Sequence, residues 1–348
     1  MPNTEFEFAQ NLFSEATNRR RLLAGAALAA AGAFGPVGAR AQNAGDEFWT
    51  SEYWATKGEV QLAMYRKRVG TPGADTTKKP ILFLVHGSST ASKTNFDLNV
   101  PGAGEYSMMN VFARLGYDVW TMDFEGYGRS SVTQGNSDIA SGVRDLAAAW
   151  DIVNRETGET KMHFWGQSSG ALRAAAYAME YPDHSGKLLL GALTYTGRGS
   201  PTLEDRAQQV EYYRTHNRRN RDIEMIRSIF TRDMPGSGDP RVADAMAESE
   251  RPYGDTVPTG TYLDMTANLP VIDPTRIHSP VLVMRGQWDG IATDDDVLDF
   301  FQKLPNPDRQ FVILPGIAHQ LNLSINRHIT WHVAQSYLTQ PDALPLEV

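Results

Sequence analysis

Six short apolar runs, spaced along most of the chain, restrict its fold more than any other feature of the sequence. They are Ile81–Val85, Tyr117–Met122, Met162–Trp165, Leu188–Thr194, Val281–Met284 and Phe311–Leu314. Most are continuous rather than alternating, as expected of strands covered on both faces. Helical spacing separates them: Ile139, Val143, Leu146, Trp150 and Val153 recur at threes and fours between Ser137 and Arg155. Ala171–Met179 forms a second, Ala-rich helix. Strands alternating with helices imply an α/β fold with a doubly wound, mostly parallel sheet. Val60, Leu62 and Met64 alternate, which predicts an earlier, half-exposed strand.

One stretch breaks the rhythm. From Gly197 to Asp273 the chain is polar, helical in places, and without an apolar strand. It is expected to be a helical cap inserted over the sheet. The expected organisation is therefore core over 42–196, cap over 197–273 and core again over 274–348. Residues 1–41 read as a leader. Arg19, Arg20 and Arg21 precede the uncharged, small-residue run Leu22–Gly38, and Ala39-Arg40-Ala41 offers a small-x-small cleavage site. The paired arginines resemble a twin-arginine export signal, which predicts an exported, periplasmic protein after cleavage near Ala41. Leu22–Gly38 is weakly hydrophobic for a spanning helix, so no stable membrane span is expected in the mature chain.

Composition removes several functional classes. The 348 residues include no Cys, so disulfides, thiolate metal sites and cysteine nucleophiles are excluded. A net charge of −8 without a basic stripe argues against nucleic acid as a partner.

Chemistry concentrates at Gly166-Gln167-Ser168-Ser169-Gly170, which lies between a predicted strand and a predicted helix. This is G-x-S-x-G in the setting the motif requires. Glycines on either side let the backbone turn tightly and lift the Ser168 hydroxyl above the sheet. The following helix N-terminus presents backbone N–H groups to a developing oxyanion. A serine needs a base, and His319 follows the last apolar run in Pro315-Gly316-Ile317-Ala318-His319. His278, His328 and His332 read as surface or core residues. The base needs an acid, and Asp289 follows the Val281 run in Gly286-Gln287-Trp288-Asp289-Gly290. Asp294, Asp295 and Asp296 read instead as the acidic first turn of a helix.

The chain order Ser168, Asp289, His319 resembles that of the α/β-hydrolases. The resemblance extends from about residue 55 to 340. In that family a His-Gly pair after the first central strand opens the oxyanion loop, as His86-Gly87-Ser88-Ser89 does here. The backbone N–H groups of Ser88 and Ser169 are then the implied oxyanion hole. Asp123 to Ser130 resembles the family's D-x-x-G-x-G-x-S turn, which implies a structural role, with Glu125 a turn or ion-pair residue. A serine at the elbow implies hydrolysis of a small or medium carboxylic ester through an acyl-enzyme. C–C bond, lactone and amide hydrolysis use the same triad and remain alternatives. A ligand-binding receptor or scaffold of this fold is the non-enzymatic alternative; a complete triad argues against it. No metal or organic cofactor is implied. The expected partner is a small-molecule acyl substrate, and the chain is expected to be a monomer or homodimer.

Trp288 and Arg198 are candidate pocket residues from their positions at predicted strand ends. Met108 to Phe112 reads as the buried face of a helix rather than a pocket wall. Arg214, Arg218, Arg219 and Arg221 read as a solvated cap surface.

Overall fold

The computed structural model describes residues 47–73 and 78–341. The expected leader and its cleavage site lie outside the described residues. Among the described residues ten strands are β1 (Phe48–Lys57), β2 (Val60–Val69), β3 (Ile81–Val85), β4 (Asp118–Met122), β5 (Met162–Gln167), β6 (Ser185–Gly191), β7 (Arg218–Asn220), β8 (Thr256–Pro258), β9 (Val281–Gly286) and β10 (Arg309–Leu314). Eight form one sheet in the order β1-β2-β4-β3-β5-β6-β9-β10. The first two strands are antiparallel to each other, and β2 is antiparallel to β4; from β4 to β10 all neighbours are parallel. All six apolar runs are strands of that parallel part.

The helices that matter for the site are α1 (Met108–Arg114), α2 (Ile139–Thr157), α3 (Ser169–Glu180), α4 (Pro201–Ala207), α5 (Ile223–Ser228), α6 (Pro240–Glu250), α7 (Asp294–Gln302) and α8 (Arg327–Leu338). Side chains of a strand alternate between faces. Phe83 and Val85 therefore join the layer formed by α2 and α3, while Leu82 and Leu84 join Met108, Phe112 and Tyr337 of α1 and α8. This two-sided burial explains why the strands read as unbroken apolar runs. Each large side chain so buried contributes about 1.5–3 kcal/mol.

One expectation changes, and one strand is additional. Strand β2 is not half-exposed: Leu62 to Arg66 are consecutively buried, because β2 lies inside the sheet between β1 and β4. Its burial includes Arg66, whose fork meets the buried Asp118 at 2.6 Å. The β1 strand was not anticipated, since its tyrosine and tryptophans alternate with polar residues on an edge.

Between β6 and β9 the chain leaves the sheet and forms the cap. The cap holds α4, α5 and α6 and a small antiparallel β7–β8 ribbon that polarity concealed. Side-chain caps start its helices: Ser200 accepts from Leu203 N–H, Asp222 from Met225 N–H and Asp239 from Arg241 N–H. Leu203, Tyr213, Val257, Tyr262 and Met265 of the cap join the apolar layer of α2 and α3, and a further cluster is its own. Ile226, Ile229, Phe230, Val242 and Met246 pack with Leu98, Val100 and Tyr106 of the loop after β3 and with Leu323 beyond β10. Among the described residues no helix is long and apolar enough to cross a membrane.

Candidate active site

Strand β5 turns into α3 through Ser168, whose backbone has φ 58° and ψ −129°. A non-glycine residue in that region is strained, by about 1–3 kcal/mol, and needs surroundings that hold it. The flanking glycines supply them by close approach. A Cβ on Gly166 would stand 2.5 Å from the Gly170 carbonyl oxygen and 2.6 Å from Ala171 Cα. One on Gly170 would collide with the Val85 carbonyl at the end of β3. Ser168 N–H donates to Gly191 O at 2.9 Å, which ties the elbow to β6.

Asp289 and His319 come together from the loops after β9 and β10. Trp288 N–H donates to Ile317 O at 3.0 Å and joins the two loops. His319 Nδ1 lies 2.9 Å from Asp289 Oδ1, and Ile291 N–H donates to the same oxygen at 2.9 Å. Burial pushes the Asp289 carboxyl up, but the imidazole and the Ile291 N–H pull it down by more, so it lies below the ordinary carboxylate value. Its Oδ2 is buried without a hydrogen-bond partner among the described residues.

Ser168 and His319 line one cavity of about 40 Å³, with Gly87, Ser88, Ser89, Gln167 and Gln320. By that measure it has room for about three waters. Ser168 Oγ makes no hydrogen bond to His319 here, and such contacts commonly tighten only when substrate is bound. Ser88 and Ser169 face the same corner, their hydroxyls 2.7 Å apart. Ser169 is the first residue of α3, where N–H groups have no intrahelical acceptor. Among the described residues neither the Ser88 nor the Ser169 N–H has a protein acceptor.

His86 supports the oxyanion loop from below. Its Nδ1–H donates to Gly87 O at 2.8 Å and its Nε2 accepts from Phe124 N–H at 3.2 Å. Full burial, with Arg173 nearby, pushes its pKa down to about 3, so it is neutral. Asp123 is likewise structural, accepting from Ser92, Tyr65 and Arg129. Glu125 pairs with Lys57 at 2.6 Å, as a turn residue should.

The two candidate pocket residues are elsewhere. Trp288 is 45% exposed and does not line the cavity. The Arg198 side chain is 68% exposed, 3.6 Å from Asp299. Adjacent residues of a tight loop point different ways, so neighbouring Asp289 in sequence did not bring Trp288 to the site. The expectation of a solvated arginine surface holds for Arg214, which pairs with Glu211. It fails for Arg221, which is buried against Glu250, and for Arg218, which bonds Thr256 O and Gly126 O.

Three cap residues that sequence reasoning missed form the cavity roof: Arg206, Ile229 and Arg232. Asp233 stands just behind them. Its carboxylate pairs with Arg232 at 2.7 Å, and a Cβ on Gly290 would come within 2.6 Å of it. Donor atoms of Asp233, Asp289 and His319 lie within 4.8 Å of one another. Most of these donors are already engaged, Asp233 with Arg232 and His319 with Asp289. No sequence signal marks any of the four cap residues, because only the cap's own folding carries them over Ser168.

This fold and constellation define an α/β-hydrolase. The family model described as "Serine aminopeptidase, S33" matches residues 100–324, about two thirds of the chain, and the chain belongs to that family. Curated relatives include a 2-hydroxy-6-oxononadienedioate/2-hydroxy-6-oxononatrienedioate hydrolase from Burkholderia vietnamiensis, 34% identical over 33% of this chain and 36% of that one. Another is the gastric triacylglycerol lipase of Mus musculus, 30% identical over 31% of this chain and 29% of that one. The matches thus span only about a third of these relatives' length. Among solved structures, a 2-hydroxy-6-oxo-6-phenylhexa-2,4-dienoate hydrolase from Rhodococcus superposes with a TM-score of 0.61 at 17% identity, covering 84% of this chain and 100% of that one.

Proposed function

We propose that this hydrolase cleaves a carboxylic ester through an acyl-enzyme on Ser168. One observation carries the reading: a strained elbow serine opens into the same cavity as a histidine already held by a buried carboxylate. Asp289 accepts the Nδ1–H of His319 and leaves Nε2 free to act as base. Ser168 Oγ attacks the ester carbonyl while Nε2 takes its proton. The oxyanion develops against the Ser88 and Ser169 N–H groups. The C–O bond breaks, and the alcohol leaves with the proton from His319. Water, deprotonated by the same nitrogen, attacks the acyl-enzyme, and the acid departs as Ser168 recovers its proton. No step requires a metal or an organic cofactor.

Hydrolysis of a C–C bond beside a ketone is a second reading by the same residues. The identity to a hydrolase of an oxo-dienedioate favours it over lactone or amide cleavage. The Arg19–Arg21 leader supports export, which cell fractionation of wild type and of Arg19→Lys/Arg20→Lys tests.

Wild type and Ser168→Ala are compared on 4-nitrophenyl acetate through decanoate, with fluorophosphonate labelling alongside. Hydrolysis and label both vanish in Ser168→Ala if the reading is right. Label without ester turnover favours the C–C reading, and absence of both overturns the nucleophile.

A further inference from the structure

The cavity above Ser168 has an unusual lining for an ester site. Of the side chains around it only Ile229 is apolar; the others are Ser, Thr, Asn, Gln, His and two arginines. Ester pockets built for alkyl chains are mostly apolar with a few polar groups. This one has that proportion reversed.

The arginines differ in one respect. Arg232 is neutralised: its Nε and Nη2 meet Asp233 Oδ1 and Oδ2 at 2.7 and 3.0 Å. The Asp233 side chain is only 3% exposed, so this pair is fixed to the roof. Arg206 has neither an ion pair nor a hydrogen bond among the described residues. Its guanidinium carbon lies 5.1 Å from the ring centroid of Tyr262, and that of Arg219 lies 4.5 Å from the same ring. Tyr262 is fully buried and its hydroxyl is 2.8 Å from Ser89 Oγ, so the stack rests on the oxyanion loop. Burial pushes the Arg206 guanidinium below its ordinary value, and Arg232 and Arg219 push the same way. An arginine nonetheless stays charged at any working pH.

No carboxylate side chain lines the cavity to balance this cation. Asp233 and Asp289, which stand behind the lining, are engaged by Arg232 and His319. Arg206 is half-buried, and a partly desolvated charge without a counterion is favoured further when an anion arrives. A planar guanidinium with five donors fits a carboxylate in particular.

We propose that the substrate carries a carboxylate in addition to the scissile acyl group, and that Arg206 receives it. The proposal rests on the assignment of Ser168 as nucleophile. The Arg206 fork holds the carboxylate under the cap while Ser168 attacks the neutral carbonyl, so the anion orients the substrate and takes no part in bond making. The carboxylate belongs either to the acyl part or to the leaving group, and two substrate pairs separate these. Ethyl hydrogen adipate against ethyl hexanoate places the charge on the acyl side. 4-Acetoxybenzoate against phenyl acetate places it on the leaving group.

The readout is the ratio of kcat/KM for the charged to the uncharged member of each pair. One pair is expected to give a ratio of about 10 to 100, the range of a charge-assisted contact. Arg206→Gln brings that ratio to about one, while Arg214→Gln, on the exposed cap surface, retains it. Where Arg206→Gln does not fold, Arg206→Lys serves: a point charge without the fork lowers the ratio several-fold. Ratios at or below one in both pairs, or a high ratio untouched by Arg206 substitution, overturn the proposal. If Ser168-dependent fluorophosphonate labelling persists in those cases, the nucleophile stands and only the anion site falls. If wild type neither labels nor turns over any of these esters, the nucleophile fails and the proposal fails with it.

Discussion

The floor and the roof of the cavity are built by different rules. On the floor, Ser168 is held by backbone packing so close that Gly166 and Gly170 admit no Cβ, and the parallel strands beneath it bury both faces. The roof stands on short helices, a three-residue ribbon and a small apolar cluster, with Leu203, Tyr213 and Tyr262 reaching into the sheet's core. Polar links attach it to the oxyanion loop: Thr261 Oγ1 donates to Ser88 Oγ at 2.8 Å, Arg221 donates to Ser89 O at 3.3 Å, and Ala91 N–H donates to Glu250 at 2.7 Å. The floor therefore holds reactive groups in place by sterics. The roof is joined to the oxyanion loop by polar contacts and to the sheet by apolar packing, and it borders a cavity of about 40 Å³ that is partly open to solvent.

The largest expected effect lies on the floor. Asp289→Asn removes the carboxylate that sets the His319 tautomer, and kcat should fall by about 10³–10⁴. Thermal stability should change little, because the amide keeps the shape. A fall under tenfold would mean that Asp233, close behind, supports His319 instead. Gly170→Ala comes next. Its methyl meets the Val85 carbonyl, and the change should cost about 4 kcal/mol or more by denaturant titration. A near-neutral result would show that the elbow yields, and with it the rigidity assigned to the floor.

On the roof, Glu250→Leu tests whether a buried pair closes the cap. Arg221 and Glu250 side chains are each only 2% exposed. Removing one partner strands the other and should cost about 3–5 kcal/mol. Arg221→Met with Glu250→Leu should recover most of that, since two apolar side chains replace two buried charges. Equal stability of the single and double variants would leave the pair without a role.

These comparisons also show what the amino-acid order discloses. The floor is local in sequence: an apolar strand, a glycine-flanked serine and a helix follow one another within about twenty residues. Asp289 and His319 were legible too, each standing just past an apolar run. The roof is not local. Arg206 and Arg232 reach Ser168 only because the helices between β6 and β9 fold back over it, and their polar, short-period sequence resembles any solvated surface. The same holds for Arg221, whose partner Glu250 is 29 residues away. Edge strand β1 escaped for a related reason, since its burial depends on its pairing with β2 and leaves no continuous apolar signal.

Acid should weaken the floor through two histidines. His86 is buried neutral with a pKa near 3, and burial beside Lys187 lowers His163 to about 4. In the unfolded chain both titrate near 6.5. Protons then favour the unfolded state, so stability is full above about pH 6.5 and declines as the pH falls towards 4. For His86 alone the loss should be about 2 kcal/mol at pH 5. Urea titrations at pH 7 and pH 5 measure it, and His86→Gln should flatten the slope. An unchanged slope in that variant would assign the acid sensitivity to other groups.

The smallest expected effect sharpens the comparison most cheaply. Trp288 adjoins Asp289 in sequence and is large enough to reach a substrate, yet it is 45% exposed and outside the cavity. What Trp288 contributes is its backbone N–H to Ile317 O, and Trp288→Ala keeps that bond. Activity on any ester should therefore stay within about twofold and stability within about 0.5 kcal/mol, the usual range for an exposed position. A tenfold loss in kcat/KM with stability unchanged would mean that the roof opens towards Trp288 when substrate enters. The wall of the working pocket would then include residues that do not line the cavity around Ser168.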